Sequence, residues 1–167
     1  MTPTLIAFSG LPASGKSTIA RKLASRIGAV WLRIDTIEQA MRDSGVLRGP
    51  VDDAGYRAAY GVAEDNLRLG LSVVADCVND CMLARNAWRD VAARAGARIV
   101  EVESICTDVE EHRRRVETLK SDVPGLALPN WQAVIGREYE AWDRDPLRVD
   151  TANCGVDACI AAILAAL

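Results

Sequence analysis

The chain has 167 residues, half of them hydrophobic, and a formal net charge of −3. That length suits one well-filled core and leaves no room for a second domain beyond a small lid or insert. The mild acidic balance gives no reason to expect nucleic acid or an anionic membrane as the main partner, and no apolar run approaches the roughly 20 residues that a bilayer span needs. The start of the chain carries no charged region followed by a long apolar stretch, so a cytoplasmic location is expected.

Apolar runs alternate with segments of helical period along the chain. Leu5 to Phe8 reads as a first strand and Thr18 to Ile27 as a helix; Val30 to Ile34 is a second strand ending at Asp35. Helices follow over Thr36 to Arg42 and, past a turn at Gly45 to Pro50, over Asp53 to Leu69. Leu71 to Ala75 is a third strand ending at Asp76, and Leu83 to Ala95 an amphipathic helix stopped by Gly96. Arg98 to Ile105 forms a fourth strand. Asp108 opens a charged helix to about Lys120, and a loop with Pro124, Gly125 and Pro129 separates it from a helix at Trp131 to Trp142. A short strand at Leu147 to Val149 and a helix at Val156 to Leu167 complete the pattern, which predicts an α/β fold with a parallel sheet and helices on both faces.

The segment Gly10-Leu11-Pro12-Ala13-Ser14-Gly15-Lys16-Ser17 fits G-x-x-x-x-G-K-[ST] without a mismatch, and it lies between the first strand and the first helix. Glycines allow the tight turn that presents successive N–H groups to phosphate at the positive end of the helix. Lys16 is placed to reach the β- and γ-phosphates, and Ser17 to offer a hydroxyl to Mg²⁺. The strand–loop–helix context sets this apart from an accidental glycine-rich turn. It implies nucleoside triphosphate binding.

Ligands of parallel α/β sheets bind at the carboxyl ends of the strands, which sorts the acidic residues. Asp35 and Asp76 each follow a strand and share the rim of the phosphate loop, although a strand-end aspartate also serves as a helix cap or turn residue. Asp35 is the candidate base that orients or deprotonates an acceptor, and Asp76 the candidate that holds Mg²⁺ or a second acceptor hydroxyl. Arg33 and Arg42 flank Asp35 and are either anchors for an anionic acceptor or surface residues. The five cysteines, Cys77, Cys81, Cys106, Cys154 and Cys159, match neither a zinc site nor a disulfide framework.

Taken together, these segments resemble the small P-loop kinases: shikimate, gluconate and adenylate kinases, chloramphenicol phosphotransferase and the zeta toxins, proteins often grouped with AAA-type ATPases. The motif-level match is Gly10 to Thr18. Leu32-Arg33-Ile34-Asp35 looks like the segment whose aspartate receives the substrate hydroxyl, and Val74-Ala75-Asp76-Cys77-Val78-Asn79 looks like the third-strand motif, with Asn79 near the acceptor. The resemblance implies a single domain over residues 1–167, a three-layer P-loop NTPase sandwich with a five-stranded parallel sheet in the order 2-3-1-4-5, and a small lid at about 113–137. It also implies ATP phosphate contacts from lid arginines, with Arg113 and Arg115 the candidates beside Arg137, and adenine near Thr151. The four-residue spacing usual for such arginines is not met, because Leu119 follows Arg115 by four, and the shikimate-specific Gly-Gly pair is missing.

Three successive arginines point about 100° apart on a helix, so one or two of Arg113, Arg114 and Arg115 face the site. Glu110, Glu111 and Glu117 around them equally describe a solvated helix face. His112, in the same charged run, is expected to be exposed. Trp131, Tyr139 and Trp142 read as core or lid packing. The reading reached is an Mg²⁺-dependent, ATP-using kinase acting on a hydroxyl of a small molecule, as a monomer or homodimer. The alternatives are a nucleoside or nucleotide kinase and an ATP-binding regulatory or toxin-like switch with slow hydrolysis.

Overall fold

A computed structural model describes residues 2–167. The elements run β1 (Thr4–Ser9), α1 (Lys16–Ile27), β2 (Val30–Arg33), α2 (Ile34–Asp43), α3 (Ala54–Arg68), β3 (Val73–Asp76), α4 (Met82–Ala95), β4 (Arg98–Ile105), α5 (Val109–Thr118), α6 (Trp131–Ile135), β5 (Leu147–Asp150) and α7 (Val156–Ala165). The five strands form one parallel sheet in the order β2-β3-β1-β4-β5, which is the order the family resemblance implies.

The central position of β1 explains its unbroken apolar run. A parallel strand with helices on both faces has no solvent side, and Leu5, Ile6 and Phe8 are fully buried. Alternate side chains separate into two cores. Leu5 and Ala7 pack with Ala59, Ala63 and Leu67 of α3 and Trp88, Val91 and Ala92 of α4. Ile6 and Phe8 pack with Ile19, Ala20 and Leu23 of α1 and Ile160 and Ile163 of α7. The same alternation governs the edge strand β2: Val30 and Leu32 join the first core, whereas Trp31 leans on the second and Arg33 lies at the carboxyl end of the strand.

Several boundaries differ from the sequence reading. The helix expected to run from Trp131 to Trp142 ends at Ile135, with Gly136 as its cap. Beyond it the chain is drawn onto the sheet edge, because Tyr139 Oη and Trp142 Nε1 both donate to Glu103 Oε1, at 3.1 and 2.9 Å. The buried Arg85 guanidinium lies over both rings, 4.9 and 4.2 Å from their centroids. Continuing the helix would break all four contacts. Arg137 is therefore not a helical residue. The second strand stops at Arg33 and α2 starts at Ile34, so Asp35 occupies the first helical turn, where the helix dipole favours a carboxylate. The third strand begins at Val73, since Leu71 is half-exposed and outside the ladder. The charged helix ends at Thr118, short of Lys120.

The loop after β3 turns on Asn79, which has a positive φ of 47°. Its buried side chain makes the conformation worthwhile: Nδ2 donates to Phe8 O at 2.8 Å, and Oδ1 accepts from Trp88 Nε1 at 3.1 Å. Arg85 Nε donates to Asn79 O at 2.8 Å. Replacing Asn79 by Ala leaves the buried Trp88 indole N–H unpaired, leaves Phe8 O with only the weak Cys77 thiol donor at 3.4 Å, and puts alanine in a left-handed conformation that asparagine tolerates better. Asn79→Ala is expected to lower stability by about 2–4 kcal/mol, read as a fall in the urea midpoint at unchanged slope; a midpoint equal to wild type would show that this loop does not depend on Asn79.

Candidate active site

The loop between β1 and α1 is fixed by its carbonyls. Ser14 O accepts from Ser104 Oγ at 2.9 Å and from Thr151 Oγ1 at 2.8 Å, and Pro12 O lies 2.8 Å from His112 Nε2. A carbonyl only accepts, so His112 carries its proton on Nε2. Gly10 N donates to Val78 O at 3.0 Å. Gly10 has φ +141°, and a Cβ there would stand 2.3 Å from Ser104 O, so no other residue fits without moving the backbone. Anchors on β4, on α5 and just after β5 thus hold the carbonyls back. The first amides of α1, which have no intrahelical partner, are left to meet a ligand.

Lys16 is buried and folds back so that Nζ lies 3.5 Å from Leu11 O. Burial pulls its ammonium below the ordinary lysine value, opposed by the charges of Asp76 and Asp35. Ser17 Oγ donates to Asp76 Oδ1 at 3.0 Å. Asp76 is 2% exposed, and its Oδ2 has no partner. Burial pushes this carboxyl up from its usual range, while Lys16 and the Ser17 hydrogen bond push it down. A hydroxyl beside an unpartnered carboxylate oxygen is a hard-oxygen donor pair. It suits Mg²⁺, which takes one or two protein ligands and draws the rest from phosphate and water.

A cleft of about 1330 Å³ opens over these groups. Its floor is the phosphate loop and Lys16, one wall carries Arg115 and Thr151, and the other carries Trp31, Arg33 and Asp35, with Glu38, Gln39 and Arg42 of α2. The segment from Thr118 to Pro129 lines it as well. That segment is fastened by Asp122, which accepts from Arg33 Nη1 at 2.6 Å and lies 3.8 Å from Arg21 Nη1.

The residues singled out in the sequence fall into groups. Pro12, Ala13, Gly15, Lys16, Ser17, Thr18, Arg33, Asp35, Arg42, Arg115, Arg137 and Thr151 all line the cleft. Arg115 is turned toward Thr151, donating to its Oγ1 at 2.7 Å and its O at 3.0 Å. Arg137 Nη1 meets Asp80 Oδ2 at 2.9 Å, and Arg42 pairs with Glu38 one turn back. Arg113 does not reach the cleft: its guanidinium is paired with Glu117 at 2.8 Å on the exposed face of α5. Arg114 likewise pairs with Glu111. Asn79 is turned inward beneath the rim, its side chain occupied by Phe8 and Trp88, and has no group free for an acceptor.

His112 is the main surprise. It is 7% exposed rather than solvated, held between Pro12 O and the edge of the Trp131 ring, whose centroid is 5.4 Å away. The signal was the pair His112 and Val116, four apart and both buried on one face of an otherwise charged helix. Trp31, Gln39 and Asp122 lacked such a signal, because nothing local marks a side chain that meets its partner only across the cleft.

Comparison with known proteins gives this geometry its context. The AAA domain family AAA_33 matches residues 5–134. The uncharacterized protein Rv2004c of Mycobacterium tuberculosis is 31% identical over 121 residues, which are 65% of this chain and 22% of that protein. The chain thus spans about a fifth of the length of the curated relatives it matches. Among solved structures, the APS kinase CysC of Mycobacterium tuberculosis in complex with AMPPNP and APS superposes with a TM-score of 0.75 at 20% identity, over 98% of this chain and 96% of that one. Kti12 of Chaetomium thermophilum in complex with ADP-AlF3 gives 0.70 at 23% identity, over 97% and 98%. A gluconokinase from Sinorhizobium meliloti 1021 gives 0.66 at 19% identity, over 99% and 94%. With its phosphate loop, sheet order and cleft in place, the chain belongs to the AAA domain family and has the fold of the small P-loop kinases.

Proposed function

We propose that the chain is an Mg²⁺-dependent kinase that transfers the γ-phosphoryl group of ATP to a hydroxyl of a small molecule. The observation that carries this reading is convergence: Lys16, Ser17 and Asp35 line one cleft, Asp76 lies beneath it bonded to Ser17, and Lys16 feels both aspartates. Phosphoryl transfer asks a protein for positioning and charge neutralisation more than for covalent chemistry. The solved relatives of like fold include an APS kinase and a gluconokinase, which supports the same reaction class.

Each residue then has a distinct part. The amides of residues 13–18 receive the phosphates at the N-terminus of α1, and Lys16 places its charge on the group being transferred. Ser17 Oγ and Asp76 Oδ2 would hold Mg²⁺, which when bound neutralises charge on the β- and γ-phosphate oxygens. Asp35 faces the cleft from the first turn of α2, across from the phosphate loop, and is the carboxylate that orients the acceptor hydroxyl and takes its proton. Arg115 and Arg137 line the same space, and exchange of their present partners, Thr151 and Asp80, for phosphate oxygens would add charge-assisted bonds to the transition state. The segment from Thr118 to Pro129 lines the same cleft, and its closure over bound ATP would exclude water, so that ATP is not spent on hydrolysis.

Two sets of substitutions test this. Lys16→Ala is expected to abolish ATP turnover with circular dichroism unchanged, since the Lys16 head group serves developing charge and not the core; near wild-type turnover in the folded variant would sink the kinase reading. The aspartates should part company. Asp35→Asn is expected to slow transfer by about 100-fold or more with ATP affinity retained, as loss of a positioned base does. Asp76→Asn should instead raise the Mg²⁺ concentration needed for half-maximal rate. Equal, mild losses from both would overturn these assignments.

A further inference from the structure

We propose that the acceptor end of the cleft is built for an oxyanion, so that the molecule phosphorylated carries a carboxylate, sulfate or phosphate group bound by Trp31 Nε1 and the Arg33 guanidinium. The first observation is a pair of orphaned donors. Trp31 Nε1 and Arg33 Nε are both buried without a hydrogen-bond partner, and they stand two residues apart on β2, on the same face of the strand. The Arg33 guanidinium sits over the Trp31 ring, 5.8 Å from its centre, so the two side chains that carry these donors are neighbours. Buried donors left unpaired are costly, and two together mark the place of a missing acceptor.

The second observation shows what kind of acceptor fits. Arg33 is the most enclosed cation of this wall, with its side chain 14% exposed, yet only one of its nitrogens is bonded, Nη1 to Asp122. Asp35 Oδ2 lies 3.9 Å from Nε, too far for a hydrogen bond. Asp122, by contrast, is 56% exposed and comes from the segment Thr118 to Pro129, reaching in between Arg33 and Arg21. A carboxylate of the chain itself thus rests on the arginine that a substrate anion would claim. Arginine offers a planar fork suited to two oxygens, and an anion on its Nε side would complete the fork and satisfy the indole N–H together. Such a group would hold the acceptor beside Asp35, with a hydroxyl directed at the phosphate loop.

The description of this end as the acceptor end rests on the kinase reading; the anion site itself does not. Isotope-labelled protein saturated with AMPPNP and Mg²⁺, so that the phosphate loop is filled, is titrated with sodium sulfate against sodium chloride of equal ionic strength. The Trp31 indole and Arg33 Nε–H resonances are expected to shift together along one saturable curve at millimolar sulfate, while the Trp88 and Trp142 indoles stay fixed. Sodium acetate should act at the same two resonances, and the tighter of the two anions names the group as tetrahedral or planar. Arg33→Gln is expected to abolish the saturable shift at Trp31. Asp122→Asn, which removes a carboxylate that neutralises Arg33 from its Nη1 side while leaving the Nε side unchanged, is expected to tighten sulfate binding by about threefold or more through the positive charge it frees. No saturable shift at tenths-molar sulfate, an equal shift with glycerol, a shift unaltered in Arg33→Gln, or unchanged or weaker binding in Asp122→Asn would each overturn the proposal. Failure of AMPPNP to bind would count against the nucleotide reading alone, because the sulfate titration reads the same two resonances in the nucleotide-free protein.

Discussion

The site rests on the close approach of the phosphate-loop backbone to the carboxyl end of β4. Gly10 meets Ser104 O with no room for a Cβ, and Ser104 Oγ reaches over to Ser14 O. Thr151, just after β5, holds the same Ser14 carbonyl, and His112 of α5 holds that of Pro12. Each such bond contributes on the order of 1 kcal/mol net, which is modest for stability. Direction is the larger effect. A peptide whose carbonyl is tied back presents its N–H to the opposite side, so bonds made behind the loop decide what the front can bind.

The charges of the site are buried for the same reason. Lys16 and Asp76 lie under the rim of the cleft, where burial lowers the one and raises the other, and each partly offsets the cost of the other. Asp76 keeps one oxygen on Ser17 and one without a partner. In water such an arrangement would be solvated and inert; inside the protein it is a fixed, incompletely satisfied charge. Its need for a cation and the nucleotide's need for charge neutralisation are met by the same metal ion.

A second buried charge network does structural service. Arg85, 1% exposed, bonds Asn79 O and Glu140 O and lies against Tyr139 and Trp142, which in turn bond Glu103. Residues 137–142 are thereby fastened to the loop after β3, and Glu140 N closes the link to Asp80 O. Arg137 stands on this fastened segment. The segment from Thr118 to Pro129 is held otherwise, by exposed Asp122 on Arg33 and by Val123, so the two parts that a linear reading joins into one lid differ in how firmly they are attached.

The layered fold and the phosphate loop were legible in the residues, because both depend on short-range order. An apolar run, a glycine-rich turn and a helix period declare themselves within a dozen residues, and the order of strands then follows from the family that this motif resembles. Helix ends were less legible. The break after Ile135 arises from Glu103 and Arg85, which lie some 30 and 50 residues earlier in the chain, and no local feature of Trp131 to Trp142 announces them. His112, Trp31 and Asp122 mark the remaining boundary. Their types and neighbours look ordinary, and they acquire a role only where the fold sets α5 on the phosphate loop and the segment from Thr118 to Pro129 on β2. Sequence by itself determined which local structures form and which of them can cradle phosphate. Only tertiary structure decided which charged side chains are buried together and which are left to solvent, because burial and pairing are properties of neighbours distant in the chain.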